Sequence, residues 1–362
     1  MSQWWVVRPA RPAAGMAGII AAAVLALAAC SPHAQQLTAR PPAASGVTAA
    51  PSATVTVRAS PAVSVTRPAS ARHLVLGTAG TFQVRRRQLT FTEPAHRGPS
   101  GAPLGQRTLL TQLWYPVAPA GSRPDRGPFP LLLFAPGFRQ CADPYGDMLT
   151  AWASAGYMVA AVDFPRSDCK VAATADESDL INQPGDMSYA LTRLLALSRR
   201  AGNPISGRIN SRQLAAAGQS DGGDTVAALA ASTCCADHRL AAAAVLSGAE
   251  WPPMPGKYFG TSAPPMLFTQ GSADTVNPPW TSVQLYDGDR SAARYYLDLF
   301  GADHTGPYWG TNKAERIVVR VTLAFFDRYV LGRRPALAAM SADGDVPRTA
   351  ALVAGGTPVP SG

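Results

Sequence analysis

In Gln213-Leu214-Ala215-Ala216-Ala217-Gly218-Gln219-Ser220-Asp221-Gly222-Gly223, a short apolar strand from Gln213 to Gly218 runs straight into a helix from Asp221 to Ala231, and Ser220 stands at the junction. A serine on so sharp a strand-to-helix bend has a strained backbone, and side chains two positions away on either side would collide. Gly218 and Gly222 remove that collision. The G-x-S-x-G pattern alone is weak in a chain rich in Gly and Ala. Its position between a strand and a helix is what gives it weight.

Outward from this bend, short apolar runs alternate with helix-like stretches, the pattern of an α/β fold with a mostly parallel central sheet and helices on both faces. Val75 to Thr92 and Thr108 to Tyr115 read as opening strands joined by a Gly/Pro-rich hairpin loop. Leu131 to Ala135 and Tyr157 to Asp163 are continuous apolar runs, as strands buried on both faces should be. A helix is predicted from Tyr145 to Ala155, and another from Pro184 to Ser198 with proline in its first turn. Asp186 reads as a cap of the latter. Ala241 to Leu246, Met266 to Thr269 and Arg294 to Phe300 supply further strands, and Thr311 to Val330 the closing helix.

A serine hydroxyl is a poor nucleophile without a base, and the base needs a carboxylate to orient it. Of five histidines, His33, His73 and His96 precede the bend, and His238 lies at the far end of the following helix. His304, in Gly301-Ala302-Asp303-His304-Thr305-Gly306, follows the last strand and is the candidate base. Asp274, in the loop after the Met266 strand bounded by Pro278-Pro279, is the candidate carboxylate. Asp303 is its rival, although the side chain of an immediate neighbour normally points away from the imidazole. Two backbone N–H donors are needed for a developing oxyanion. Asp221 should supply one, and Phe138 in Pro136-Gly137-Phe138-Arg139 the other, since Pro136 has no N–H and Gly137 allows the turn. Trp280 and Trp309 follow Asp274 and His304 closely enough to sit at the rim of the same face.

Ala135-Pro136-Gly137-Phe138, Gly218-Gln219-Ser220-Asp221-Gly222-Gly223, Ala273-Asp274-Thr275-Val276 and Asp303-His304 resemble the corresponding stations of the polyester-cutinase and platelet-activating-factor acetylhydrolase-like branch of the α/β-hydrolases. Asp221 stands where the cutinases usually carry methionine. The resemblance spans roughly residues 72 to 330 and implies an α/β-hydrolase fold with Ser220, Asp274 and His304 as a catalytic triad. It further implies esterase or lipase chemistry on a small or lipidic ester through an acyl-enzyme, with no metal or organic cofactor. The same triad would serve a thioesterase or peptidase, and an envelope binding lipoprotein that has lost catalysis is the non-enzymatic alternative.

The N-terminus is a second legible signal. Arg8 and Arg11 precede an apolar run from Ala13 to Ala29, and Leu27-Ala28-Ala29-Cys30 closes it with small residues. This resembles the lipobox of bacterial lipoproteins, which implies a signal segment over residues 1–30, cleaved so that a lipidated Cys30 becomes the first mature residue, and anchoring at the outer face of the cell membrane, or release from it. Residues 31–71, rich in Ala, Pro, Ser, Thr and Val, read as a flexible tether. The enzyme-like domain is expected over 72–333 and a loosely ordered tail over 334–362.

The formal charge of +9 does not indicate nucleic acid as a partner. The first acidic residue is Glu93, nine arginines precede it, and the remaining 23 basic residues balance 23 acidic ones. A nucleic-acid-binding domain would carry its charge on the folded face. Cys141 and Cys169 fall in loops after consecutive strands, so a bridge between them is geometrically reasonable in an exported protein. Cys234 and Cys235 are adjacent and could bridge each other, cross-pair or stay reduced. No Cys-x-x-Cys or His-x-x-x-His spacing points to zinc.

Overall fold

A computed structural model describes residues 56–58, 80, 82–118, 127–291 and 293–355. Cys30, the leader, the tether apart from 56–58, the segment from Val75 to Ala79 and the last seven residues lie outside the described residues.

A ten-stranded sheet runs through the domain in the order β1-β2-β5-β7-β6-β8-β9-β10-β11-β12. The strands are β1 Thr56–Arg58, β2 Gln83–Glu93, β5 Arg107–Val117, β6 Phe129–Ala135, β7 Met158–Asp163, β8 Ile209–Gln219, β9 Ala242–Leu246, β10 Met266–Gly271, β11 Arg294–Leu299 and β12 Ala350–Ala354. A separate two-residue hairpin, β3 His96–Arg97 with β4 Pro103–Leu104, occupies the loop between β2 and β5. The six strands from β7 to β11 are mutually parallel, and antiparallel strands flank them on both sides. This is the α/β-hydrolase architecture, with a mixed but mostly parallel sheet.

Alternation along the central strands explains the two-sided core. Leu131, Leu133 and Ala135 of β6 pack into one cluster, while Leu132 and Phe134 pack into the other. The period of two sends successive side chains to opposite faces, and both faces are covered. The first cluster lies under α2 Gln183–Arg199, α3 Asp221–Ala231 and α4 Pro279–Gly288 through Met187, Leu194, Val226 and Tyr286. The second lies under α1 Gly146–Ser154, α5 Lys313–Tyr329 and α6 Ala336–Gly344 through Met148, Trp152, Phe325 and Met340. Polar bonds pin α5 within this second layer: Trp152 Nε1 donates to Thr322 Oγ1 at 2.9 Å, and Tyr157 Oη donates to Asp327 at 2.8 Å.

Several expectations need correction. The tail expected after residue 333 instead forms α6 and the edge strand β12, which pairs antiparallel with β11 in the register Leu297↔Leu352. Most of its apolar residues are alanines, but the open edge of β11 is a template for pairing and Met340 is fully buried. Likewise Thr56–Arg58, within the expected tether, pairs antiparallel with Gln88–Thr90 on the outer edge of β2. The Pro278-Pro279 pair does bound the Asp274 loop as expected; the helix that begins there, α4, was not foreseen, and its first-turn proline loses nothing by its missing N–H. Asp186 does not cap α2. It lies in the first turn, buried, with Oδ1 accepting from Arg107 Nε at 2.6 Å.

Candidate active site

Ser220 sits between β8 and α3 at φ 57°, ψ −129°, a left-sided conformation few L residues adopt. The surrounding chain holds it there. Its N–H donates to Leu246 O at 2.9 Å, and its own carbonyl accepts from Gly223 N–H and Asp224 N–H at 2.6 and 3.1 Å. A Cβ on Gly218 would stand 2.0 Å from Gly222 O, and one on Gly222 would stand 2.0 Å from Ala135 O. Backbone fills both places, so glycine is required at each.

The structure brings together the three residues that lie far apart in sequence. Ser220 Oγ lies 2.9 Å from His304 Nε2, and His304 Nδ1 lies 2.7 Å from Asp274 Oδ2. Asp274 is buried at the end of β10, where Val276 N–H and Asn277 N–H donate to its Oδ1, both at 2.9 Å. Gln270 Nε2 donates to its Oδ2 at 3.0 Å, and Ser282 Oγ from α4 holds the Gln270 amide by donating to Oε1 at 2.6 Å. Burial pushes the Asp274 carboxyl up, but the His304 ring and the two loop N–H groups outweigh it and hold the carboxyl below its ordinary value. The rival Asp303 folds onto its own loop, accepting from Thr305 N–H and Gly306 N–H at 3.2 and 2.6 Å.

The Pro136–Gln140 turn approaches Ser220 closely enough that a Cβ on Gly137 would stand 3.1 Å from Ser220 Cβ. Arg139 takes φ 60° and its N–H donates to Ser167 O at 2.7 Å. Among the described residues no hydrogen-bond acceptor meets the N–H of Phe138, which follows Gly137 in this turn. The Cys141–Cys169 disulfide, with Cα atoms 5.1 Å apart, ties this turn to the loop after β7. Cys234 and Cys235 are bridged to each other.

Two positioning residues escaped the sequence reading. Tyr145 Oη donates to Gln219 Oε1 at 2.8 Å while accepting from Gly137 N–H at 3.1 Å. Gln219 Nε2 then donates to His304 O at 3.0 Å. One buried chain of bonds therefore links the Gly137 turn, the Ser220 bend and the His304 loop. Its only signal in the sequence is an amide at the variable position before the serine. Trp309 packs edge-on against the Tyr145 ring, with centroids 6.0 Å apart, whereas Trp280 at the start of α4 is 63% exposed.

Asp221 itself is buried, and its carboxyl is pushed up to about 7 by burial and by the nearby Glu177, with His304 acting in the opposite direction. Asp224, one turn further along α3, is pushed well above the usual carboxylate range by burial, then by Asp221.

A family model described as PETase, PET hydrolase-like, matches residues 126–334, the segment that contains β6 to α5 and every residue of this site. No curated protein sequence matches the chain.

Proposed function

The chain belongs to the PET hydrolase-like family, a family of ester-hydrolysing α/β-hydrolases, and from that premise we propose that it is a serine hydrolase cleaving carboxylic esters with Ser220 as nucleophile, His304 as base and Asp274 as orienting acid. The carrying observation is the unbroken bond path from Ser220 Oγ through His304 to Asp274, with links of 2.9 and 2.7 Å.

In this reading Ser220 Oγ attacks the ester carbonyl carbon while His304 Nε2 takes its proton. The carbonyl oxygen becomes an oxyanion and accepts from the backbone N–H groups of Phe138 and Asp221. Asp274 holds the Nδ1–H tautomer and stabilises the imidazolium. As the tetrahedral intermediate collapses, the C–O bond to the alcohol breaks and His304 returns the proton to the departing oxygen. Water then repeats the sequence on the Ser220 ester, releasing the carboxylic acid and restoring the serine. Nothing in this route calls for a metal or organic cofactor.

The leader and Leu27-Ala28-Ala29-Cys30 support export and lipid anchoring through Cys30 at the outer face of the membrane, with residues 31–55 as spacer. Hydrolysis of a series of p-nitrophenyl esters tests the enzymatic reading. Turnover by the wild type that disappears in Ser220→Ala, with an unchanged circular dichroism spectrum, supports it. Equal turnover by both proteins refutes it. Retention of Cys30→Ser in the membrane fraction would refute the anchoring.

A further inference from the structure

The loop after β9 and the helix α4 enclose a cavity of about 590 Å³, an ordinary size for a small-molecule site. One wall is a single face of α4: Trp280, Gln284 and Gly288 recur at intervals of four, with Thr281 beside them. At the rise of an α-helix this face runs for about 12 Å. The loop supplies the other wall through Trp251, Met254, Tyr258 and Phe259. The two walls touch at the end of the helix, where a Cβ on Gly288 would stand 2.9 Å from Phe259 Cδ2. The loop itself is moored. Thr233 N–H donates to Lys257 O at 3.0 Å, and Lys257 N–H donates to Thr233 Oγ1 at 2.9 Å. Trp251, Met254 and Tyr258 also share an apolar cluster with the bridged Cys234 and Cys235. The cavity is therefore preformed, which spares a ligand the cost of ordering it.

Charge decides what fits. Three charged residues line the cavity, Glu250, Lys257 and Arg290. Glu250 is already engaged, since its Oε2 accepts from Gln284 Nε2 at 3.0 Å. Among the described residues, neither the Lys257 nor the Arg290 side chain has a hydrogen bond or an ion pair. Both are exposed, so water reaches them and so would an incoming anion. The aromatic rings of the two walls, with Trp280 63% exposed, offer apolar surface beside these free cations. We propose that the cavity binds an amphiphilic carboxylate of medium chain length, its hydrocarbon lying along the α4 face and its head group received by Lys257 and Arg290. None of the lining residues belongs to the triad, and the inference concerns binding, so it stands apart from the hydrolase reading.

Isothermal titration calorimetry with octanoate, octan-1-ol and octyltrimethylammonium tests it, because the three share a chain and differ in head group. Octanoate is expected to bind one to one and about three- to ten-fold more tightly than octan-1-ol, the modest margin that exposed cations provide, with the ammonium weakest. Added salt should narrow that margin. The Lys257→Gln, Arg290→Gln double variant should bind octanoate no better than octan-1-ol while leaving the alcohol's affinity unchanged, a result that general loosening of the fold would not give. Trp280→Ala, at an exposed position, should weaken octanoate and octan-1-ol alike by about five-fold or more through lost apolar contact. No binding of octanoate by the folded wild type overturns the inference. So does equal affinity for the acid and the alcohol, or wild-type affinity for octanoate in either variant. Turnover of p-nitrophenyl esters is measured separately, so failure of the hydrolase reading and failure of this inference remain distinguishable.

Discussion

Removing one oxygen atom, by Tyr145→Phe, should damage stability and catalysis together. The hydroxyl is fully buried and makes two bonds, one to Gln219 Oε1 at 2.8 Å and one from Gly137 N–H at 3.1 Å. Phenylalanine keeps the ring that packs against Phe134 and Trp309. What it loses is a partner for a buried amide oxygen and for a buried backbone N–H. Each such group left unsatisfied costs about 1–3 kcal/mol, so the variant should be destabilised by about 2–4 kcal/mol, with relaxation of the Gln219 side chain recovering some of the loss. In a domain of this size that corresponds to a fall in Tm of roughly 5–15 °C. The catalytic effect follows from what the bonds hold. Gly137 precedes Phe138, the proposed oxyanion donor, in the same turn, and deleting an oxyanion donor outright typically costs about 10²–10³ in kcat. A loosened donor should cost less, about ten- to a hundred-fold, and should appear in kcat with KM nearly unchanged, because the oxyanion exists only in the transition state. Urea unfolding and p-nitrophenyl butyrate kinetics measure both quantities. A variant that loses stability but keeps wild-type kcat would show that Tyr145 braces the fold without positioning the turn.

Asp274→Asn should leave the fold intact and lower kcat by roughly 10⁴, because an amide no longer enforces the Nδ1–H tautomer or stabilises the imidazolium; p-nitrophenyl acetate turnover measures it. Asp274 also carries a pH signature: its folded pKa is lowered, so the stability it contributes is present above the ordinary carboxylate value and is lost as the pH falls through the folded one. Asp186 has the opposite sign. Burial raises its carboxyl to about 8 despite Arg107, so its contribution is full below the ordinary carboxylate value and is lost as pH rises towards 8. Thermal unfolding from pH 4 to 9 should therefore show a decline that is shallower in Asp186→Asn, and parallel curves would contradict this. The Cys141→Ser, Cys169→Ser double variant opens a loop with a sequence separation of 28. Chain-entropy reasoning sets its loss of stability at about 3–4 kcal/mol, read by urea denaturation.

The legible parts of this protein were those that local chemistry constrains. The Gly218–Gly222 bracket, the strand before it and the helix after it follow from the steric demand of one bend, and the structure shows backbone atoms where Cβ atoms would be. Asp274 and His304 were legible because loops after successive parallel strands meet at one sheet edge, so chain order alone places them. Tyr145 and Gln219 were not, since a hydroxyl-to-amide bond across 74 residues has no periodicity or spacing to announce it. The strand β12 was missed for a related reason: three of its five residues are alanine, a weak strand former, and its pairing depends on an edge supplied by β11, some fifty residues earlier. The Arg107–Asp186 pair likewise joins β5 to α2, so Asp186 read as a helix cap from its own neighbourhood although its partner lies 79 residues away.

The central claim is that Ser220 is made nucleophilic by His304 and Asp274, and covalent labelling tests it most directly. The folded protein is incubated with a fluorophosphonate and digested, and its peptides are mapped by mass spectrometry. The account predicts a single adduct on Ser220 whose rate of formation collapses in His304→Ala. An adduct elsewhere, or labelling of Ser220 at an undiminished rate without the imidazole, would contradict it.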